Sequence, residues 1–325
     1  MTATLPRLAL AAAASVALWQ GAELAARRAG PDPAVLQAAA AAMQRATQVI
    51  RDEKVRRGLM QGADLDPNRT GLVGPEWSET MTTVGNLQAK RTLTNPDAAA
   101  LVVRLLHQAG LVQGDPVAVV LSGSFVGGNV AAMSAVQAAG LRPAVIASLG
   151  ASMYGAADPT LTWIDMDLAV RAAKVWGDAP QRVMLGGEAG LARDLGEDAR
   201  RKLEAAVRRS GIPALAGTSF AEGVREGAVV LGLALGAGRP KVLINVGGAQ
   251  AALGDCAESA DIPAGIVTHP LPCANGRRGW VHLALDAGIP VLNIHKVKEF
   301  AQRYGLPPDP VPLPQPGANP AIYAR

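Results

Sequence analysis

The stretch VAVVLSGSFVGGN, residues 117–129, sets the fold class. A run of mostly β-branched apolar residues ends in Ser122-Gly123-Ser124. Two more glycines follow, and then an alanine-rich helical pattern. A strand that is apolar on both faces must be covered on both faces, which points to a parallel sheet between helical layers. In such sheets the loop that leaves the strand is where ligands are held.

The same unit recurs on either side. Asn95-Pro96 caps a helix running to about Ala109, with Leu101, Leu105 and Leu106 on one face, and Gly110 ends it. Gly114-Asp115 turns into a strand over 116–121. A helix over roughly 128–139 leads to a strand over 143–149 that ends in Gly150-Ala151-Ser152. Downstream, a helix near 165–176 precedes a strand over 182–185 that ends at Gly186-Gly187. Helices follow over 196–209 and 220–233, then a strand over 241–246 that ends at Gly247-Gly248. A helix over 281–287, a strand over 290–294 and a helix over 295–304 complete the pattern. Upstream, Asp32-Pro33 opens a helix to about Arg57, and residues 62–83 are loop-rich. These alternations predict an α/β domain over 31–306, mainly a parallel sheet with helices on both faces in Rossmann-like layers. A division into two lobes near 180–190 is left open. The tail, 307–325, is proline-rich and is expected to run extended over the surface.

With 325 residues, 49% of them apolar and 18% charged, the chain has material for a large core. Aromatics are only 3%, so alanine, valine and leucine must fill that core. The net charge of +4 carries no run of five or six like charges, so nucleic acid is not implied. An acidic small molecule or a polyanion is permitted. Near the start, LALAAAASVALW, residues 8–19, is uncharged, with Arg7 before it and Arg27-Arg28 after it. Residues 1–30 are expected to be an uncleaved membrane anchor or a cleaved secretory signal, with an ordinary alanine-rich helix of a cytosolic protein as the plain alternative. An anchor there would place the bulk of the chain outside the cytoplasm, on the cytoplasmic membrane. Cys256 and Cys273 either pair, as an oxidising compartment allows, or stand as separate buried thiols. Their spacing suggests no metal site, and no cofactor is implied.

The strand ends carry the candidate chemistry. Ser122-Gly123-Ser124, Gly150-Ala151-Ser152, Gly186-Gly187 and Gly247-Gly248 would line one crevice if their strands are neighbours. Small residues there let backbone amides approach an anion. Ser122 and Ser124 are candidate nucleophiles, although Val120 and Ser122 stand where the G-x-S-x-G elbow needs its first glycine. The candidate bases are Lys90, His269 and His295. Arg91 beside Lys90 is expected to lower its pKa; alternatively both cations grip carboxylates or pair with Glu76. Asp165, Asp167 and Glu188 could bind a metal or act as acid and base, with Asp165 also placed to cap a helix. His107 and His282 sit in helical patterns and are assigned no role.

Three stretches carry a family resemblance: GPEWSETMTTVGNLQAKRTLTNPDAAALVVRLLHQAG (74–110), GDPVAVVLSGSFVGGN (114–129) and SLGASMYGAADPTLTWIDMD (148–167). Together they resemble the poly-gamma-glutamate system protein family, over roughly residues 72–167 and by layout elsewhere, including NVGG at Asn245. The resemblance implies membrane association and an accessory role in making or exporting an anionic polymer, binding poly-γ-glutamate or its synthase. The alternative is an extracytoplasmic serine-dependent hydrolase or transferase acting on the polymer amide. It makes Glu76, Ser78, Thr83, Lys90, Arg91, Asn95, Ser122, Ser124 and Asn129 site candidates, beside Gly123, Ser152, Gly187, Gly247 and Gly248 from the bends. The family pattern has a proline and a bulkier residue after SGSF, where this chain has Val126-Gly127-Gly128. That puts in question any role that depends on the shape of this loop.

Overall fold

The computed structural model describes Ala12, residues 30–234 and residues 238–324. Apart from Ala12, the apolar stretch at 8–19 lies outside the described residues. Among these, no helix is long and apolar enough to cross a membrane.

The chain begins with α1 (Pro33–Arg57), where Asp32 accepts the Ala34 amide at 2.9 Å. There follow β1 (Met81–Thr83), α2 (Leu87–Thr92), α3 (Asp97–Gln108), β2 (Pro116–Ser122), α4 (Val126–Ala138), β3 (Arg142–Ser148), the short β4 (Ala151–Ser152) and α5 (Trp163–Ala172). Then come β5 (Arg182–Met184), α6 (Glu197–Ser210), α7 (Phe220–Val230), β6 (Leu243–Val246), α8 (Gln250–Leu253), β7 (Gly265–Val267), α9 (Trp280–Asp286), β8 (Val291–Ile294), α10 (Val297–Tyr304) and α11 (Pro320–Tyr323).

Among the described residues the main sheet has six strands in the order β5-β3-β2-β6-β8-β7, all parallel except β7, which runs antiparallel to β8. Strands from both sides of residues 180–190 therefore pair in one sheet, with β2 between β3 and β6. Counted along the chain, the parallel strands lie in the doubly wound order 3-2-1-4-5.

Strand β2 shows why this sheet is buried. Val117, Val119 and Leu121 enter a core built with α1, α3, α4, α5 and α10. Ala118 and Val120 enter a second core with α7, α8 and α9 on the other face. All five side chains are at most 1% exposed. Each Val or Leu so buried contributes about 1.5–3 kcal/mol.

Several elements depart from the sequence reading. Helix α4 starts at Val126 rather than near Gly128, so Gly127 and Gly128 fall in its first turn. Their lack of a side chain lets α4 press against the Leu93 carbonyl and Val246. Neither α2 nor β7 was expected; each is too short to show a period. Cys256 and Cys273 are paired, which selects one of the two alternatives left open.

The proline-rich tail crosses the surface and is fastened at its end. Tyr323 donates to the Asp97 carboxylate at 2.7 Å, and Arg104 donates to the Ile322 carbonyl at 2.9 Å. Ile322 itself is fully buried against α3 and its neighbours. Ile322→Ala should therefore cost about 2–4 kcal/mol in urea unfolding, whereas Val311→Ala, at a 60% exposed site, should stay within about 0.5 kcal/mol. Equal effects would mean that the tail is not docked.

Candidate active site

The strand order reverses between β2 and β6: β3 and β5 lie to one side, β8 to the other. At such a reversal the loops leave in opposite directions and open a crevice beyond the strand ends. A cavity of about 970 Å³ lies there, lined among others by Ser122, Ser124, Gly150, Ser152, Gly187, Gly248, Lys90 and His295. The four small-residue bends thus meet around one space.

The floor is built by Asn129. Its side chain is fully buried; it accepts from the Ser122 amide at 3.2 Å and donates to the Ser122 carbonyl at 2.8 Å. That clamp ends β2 and fixes the turn into α4. The Ser122 hydroxyl accepts the Ser124 amide at 3.2 Å, and the Ser124 hydroxyl accepts the Ser152 amide at 3.0 Å. Both hydroxyls therefore hold backbone, and neither is bonded to a base.

Lys90 reaches into this arrangement from α2, whose start is capped by Asn86 accepting the Ala89 amide at 2.9 Å. The Lys90 Nζ donates to the Ser152 hydroxyl at 2.7 Å and to the Ser124 carbonyl, and lies 3.8 Å from the centre of the Phe125 ring. Only 5% exposed, Lys90 is pushed down to about 7 by burial. The Phe125 ring face favours the ammonium, but by about 0.5–2 kcal/mol. A fall from 10.5 to about 7 corresponds to about 5 kcal/mol, so burial prevails and the free amine is well populated at neutral pH.

Arg91 plays no part in that shift. It turns away to the Leu65 and Asp64 carbonyls and to Asp309. His295 borders the cavity, its Nδ1 buried without a hydrogen bond, and is lowered by burial and then by the neighbouring Lys296 and Lys90 charges. It is therefore a neutral imidazole at pH 7. His269 is exposed beyond the end of β7. Because β7 is antiparallel, that end lies at the opposite edge of the sheet, and His269 cannot serve the cavity.

The charge of the lining is mixed. Lys90, Lys296 and Lys298 face Glu188, Asp194 and Glu299. Glu299 is already paired with Arg303 at 2.9 Å, and Asp194 accepts the Glu188 amide at 2.6 Å. Among the described residues no carboxylate pairs with Lys296 or Lys298, which leaves cations beside α10 for an acidic ligand. Gly187, Gly248 and Ala249 also line the cavity, and their backbone amides donate to no protein acceptor among the described residues.

Of the other candidates, Thr83 lies at the rim. Exposed Glu76 accepts from Tyr154 at 3.1 Å, and Ser78 donates to the Ala157 carbonyl at 2.6 Å. Asn95 accepts the Asp97 amide at 3.0 Å ahead of α3. Gly123 passes under the Leu149 carbonyl, and Gly247, with φ of 85°, sits against Ser122. Asp165 forms the Thr162 capping box and pairs with Arg209 at 2.7 Å, while Asp167 is held by Arg171 and Trp176. Neither faces the cavity, so an acid–base or metal role for them is set aside. Ser152, expected only as a ligand contact, is the hydroxyl that Lys90 engages. Its sequence signal was its place in a small-residue strand end.

No protein-family model, curated protein or solved structure matches this chain.

Burial of Lys90 has a thermodynamic consequence. Its folded pKa lies below the unfolded value, so the penalty is fully present below pH 7 and fades as pH rises towards 10.5. Lys54, bonded to the Val73 carbonyl at 2.9 Å and lowered to about 8 by burial, behaves likewise. Comparing the chain with Lys90→Met cancels the Lys54 part. The wild type should gain roughly 2–3 kcal/mol on the variant between pH 7 and pH 9 in urea unfolding. A difference that does not change with pH would mean Lys90 keeps its proton.

Proposed function

We propose that this protein acts on an extended, carboxylate-bearing polyamide of the poly-γ-glutamate class, cutting or transferring its amide bond through Ser152 with Lys90 as the base. The observation that carries this reading is the 2.7 Å contact between the Lys90 amine and the Ser152 hydroxyl at the wall of the cavity. As the free amine, Lys90 can still donate to the Ser124 carbonyl while its lone pair takes the Ser152 proton. The Ser152 oxygen then attacks the amide carbon. The oxyanion finds donors among the open amides of Gly187, Gly248 and Ala249. Collapse breaks the C–N bond, the leaving amine takes the proton from Lys90, and an ester on Ser152 remains for water or another amine. Lys296 and Lys298 supply charge for the side-chain carboxylates of the polymer.

The resemblance over residues 72–167 supplies the polymer class. It also supports placement at the cytoplasmic membrane with the folded part outside, as do the apolar stretch at 8–19 and the paired cysteines. A second reading is a non-catalytic accessory protein that holds the polymer or docks on the synthase. What favours it is the cover over Ser152, which is only 5% exposed.

The two readings separate in one assay. The purified chain is incubated with poly-γ-glutamate and the polymer is sized. Shortening is expected, falling by about 10³-fold or more in Ser152→Ala. Ser124→Ala, which loses one neutral hydrogen bond, should stay within about tenfold. Unchanged polymer with the wild type, or equal rates with Ser152→Ala, leaves the accessory reading.

A further inference from the structure

We propose that Cys256, Cys273, His282 and Glu258 form a zinc site when the disulfide is reduced, so that this face of the sheet is held either by the S–S bond or by the metal. None of these residues lines the strand-end cavity, and the inference does not depend on its chemistry.

Three separate segments converge here: the chain leaving α8, the loop between β7 and α9, and α9 itself. The two sulfurs and a His282 ring nitrogen lie within 4.8 Å of one another. A tetrahedral Zn²⁺ with bonds of about 2.3 Å to sulfur and about 2.0 Å to nitrogen needs its ligands about that close. His282 is 1% exposed, yet neither ring nitrogen makes a hydrogen bond. The Pro272 carbonyl interacts with the ring without meeting hydrogen-bond geometry. A carbonyl in that place is the partner that commonly orients a metal-binding imidazole. Glu258 stands outside that 4.8 Å group, but its Oε2 is buried without a partner and its charge is felt at His282, so it is the carboxylate placed to close the site as a fourth ligand. A buried imidazole with no hydrogen bond beside two sulfurs is costly as pure packing, and one cation would satisfy it and draw in the unpaired Glu258 oxygen. The other charges at the ring, Arg278 and Asp286, neutralise each other in an ion pair.

The chemistry balances. A dithiol reductant gives two electrons and two protons to the Cys256–Cys273 bond, yielding two thiols and the oxidised, cyclic form of the reductant. Zn²⁺ then displaces up to two thiol protons and takes two thiolates, the neutral imidazole and one carboxylate oxygen. In the oxidised chain the sulfurs offer no thiolate, so the metal is excluded.

The test uses the full chain, reduced and desalted, titrated with ZnCl₂ against a chromophoric chelator and separately with Co²⁺. One Zn²⁺ per reduced chain is expected, with uptake by the oxidised chain weaker by about 100-fold or more; the Co²⁺ form should show the absorption of a tetrahedral, thiolate-bound ion. His282→Ala should weaken binding by about 100-fold, the upper end of what even outer-sphere partners contribute. Glu258→Gln, conservative in shape, guards against a folding defect and should also weaken it. The proposal is overturned if the reduced wild type binds no more Zn²⁺ than Cys256→Ser/Cys273→Ser, if the oxidised chain binds equally, or if His282→Ala and Glu258→Gln both bind as the wild type does.

Discussion

The fold rests on β2 being hidden from water on both sides. Val117 to Leu121 supply two cores at once, and no polar group can enter along the strand's length without a large desolvation cost. Polar function is therefore displaced to the strand end, where the backbone must turn. Asn129 makes that turn affordable by satisfying both the amide and the carbonyl of Ser122 from a fully buried side chain. The same residue belongs to α4, so strand end and helix start are fixed by one amide group. The Ser122 bend at the floor of the cavity is placed by this clamp.

Lys90 lives beside the clamp under opposing forces. The Ser124 carbonyl and the Phe125 ring invite a cation, while removal from water penalises one. With a pKa of about 7, amine and ammonium are both well populated near neutrality. That balance differs from a buried salt bridge, in which a carboxylate would hold the proton on the lysine. Among the described residues no acid contacts the Lys90 amine, so no counter-charge offsets the burial that lowers its pKa.

The architecture was largely legible in the sequence, because doubly buried strands and glycine-rich strand ends follow from burial and turn sterics alone. The gathering of the four bends followed once the strands were taken as neighbours. The chemistry within the bends was less legible. Ser122 and Ser124 looked like nucleophiles because they interrupt an apolar run. In three dimensions that same position commits their hydroxyls to backbone amides, Ser122 to that of Ser124 in the turn and Ser124 to that of Ser152 across the crevice. Ser152 follows another strand, and the pairings of β2 with β3 and of β4 with β1 bring it beside Lys90. The short helix carrying Lys90 left no periodic trace, and the direction of β7, which removes His269, depends on a three-residue pairing. His282 read as one more helical residue, because its neighbours Cys256 and Glu258 lie more than twenty positions away in sequence.

On the Ser152 side, the geometry of the Lys90–Ser152 pair is set by backbone. Beyond β3 the chain crosses the bend that follows β5 so closely that a Cβ on Gly150 would lie 2.8 Å from the Gly187 nitrogen and 2.9 Å from the Gly186 Cα. No residue other than glycine passes there without moving one strand end from the other. Just past the crossing, Ala151 and Ser152 pair in parallel with Met81 and Thr83, on the segment that leads into α2. The strand that carries the hydroxyl is thus held at two points, sterically against the bend after β5 and by a backbone ladder to the segment that leads into α2. A side chain at Gly150 would push the Ser152 strand end away from the bend after β5, and the Lys90 contact to the Ser152 hydroxyl would have to follow that shift.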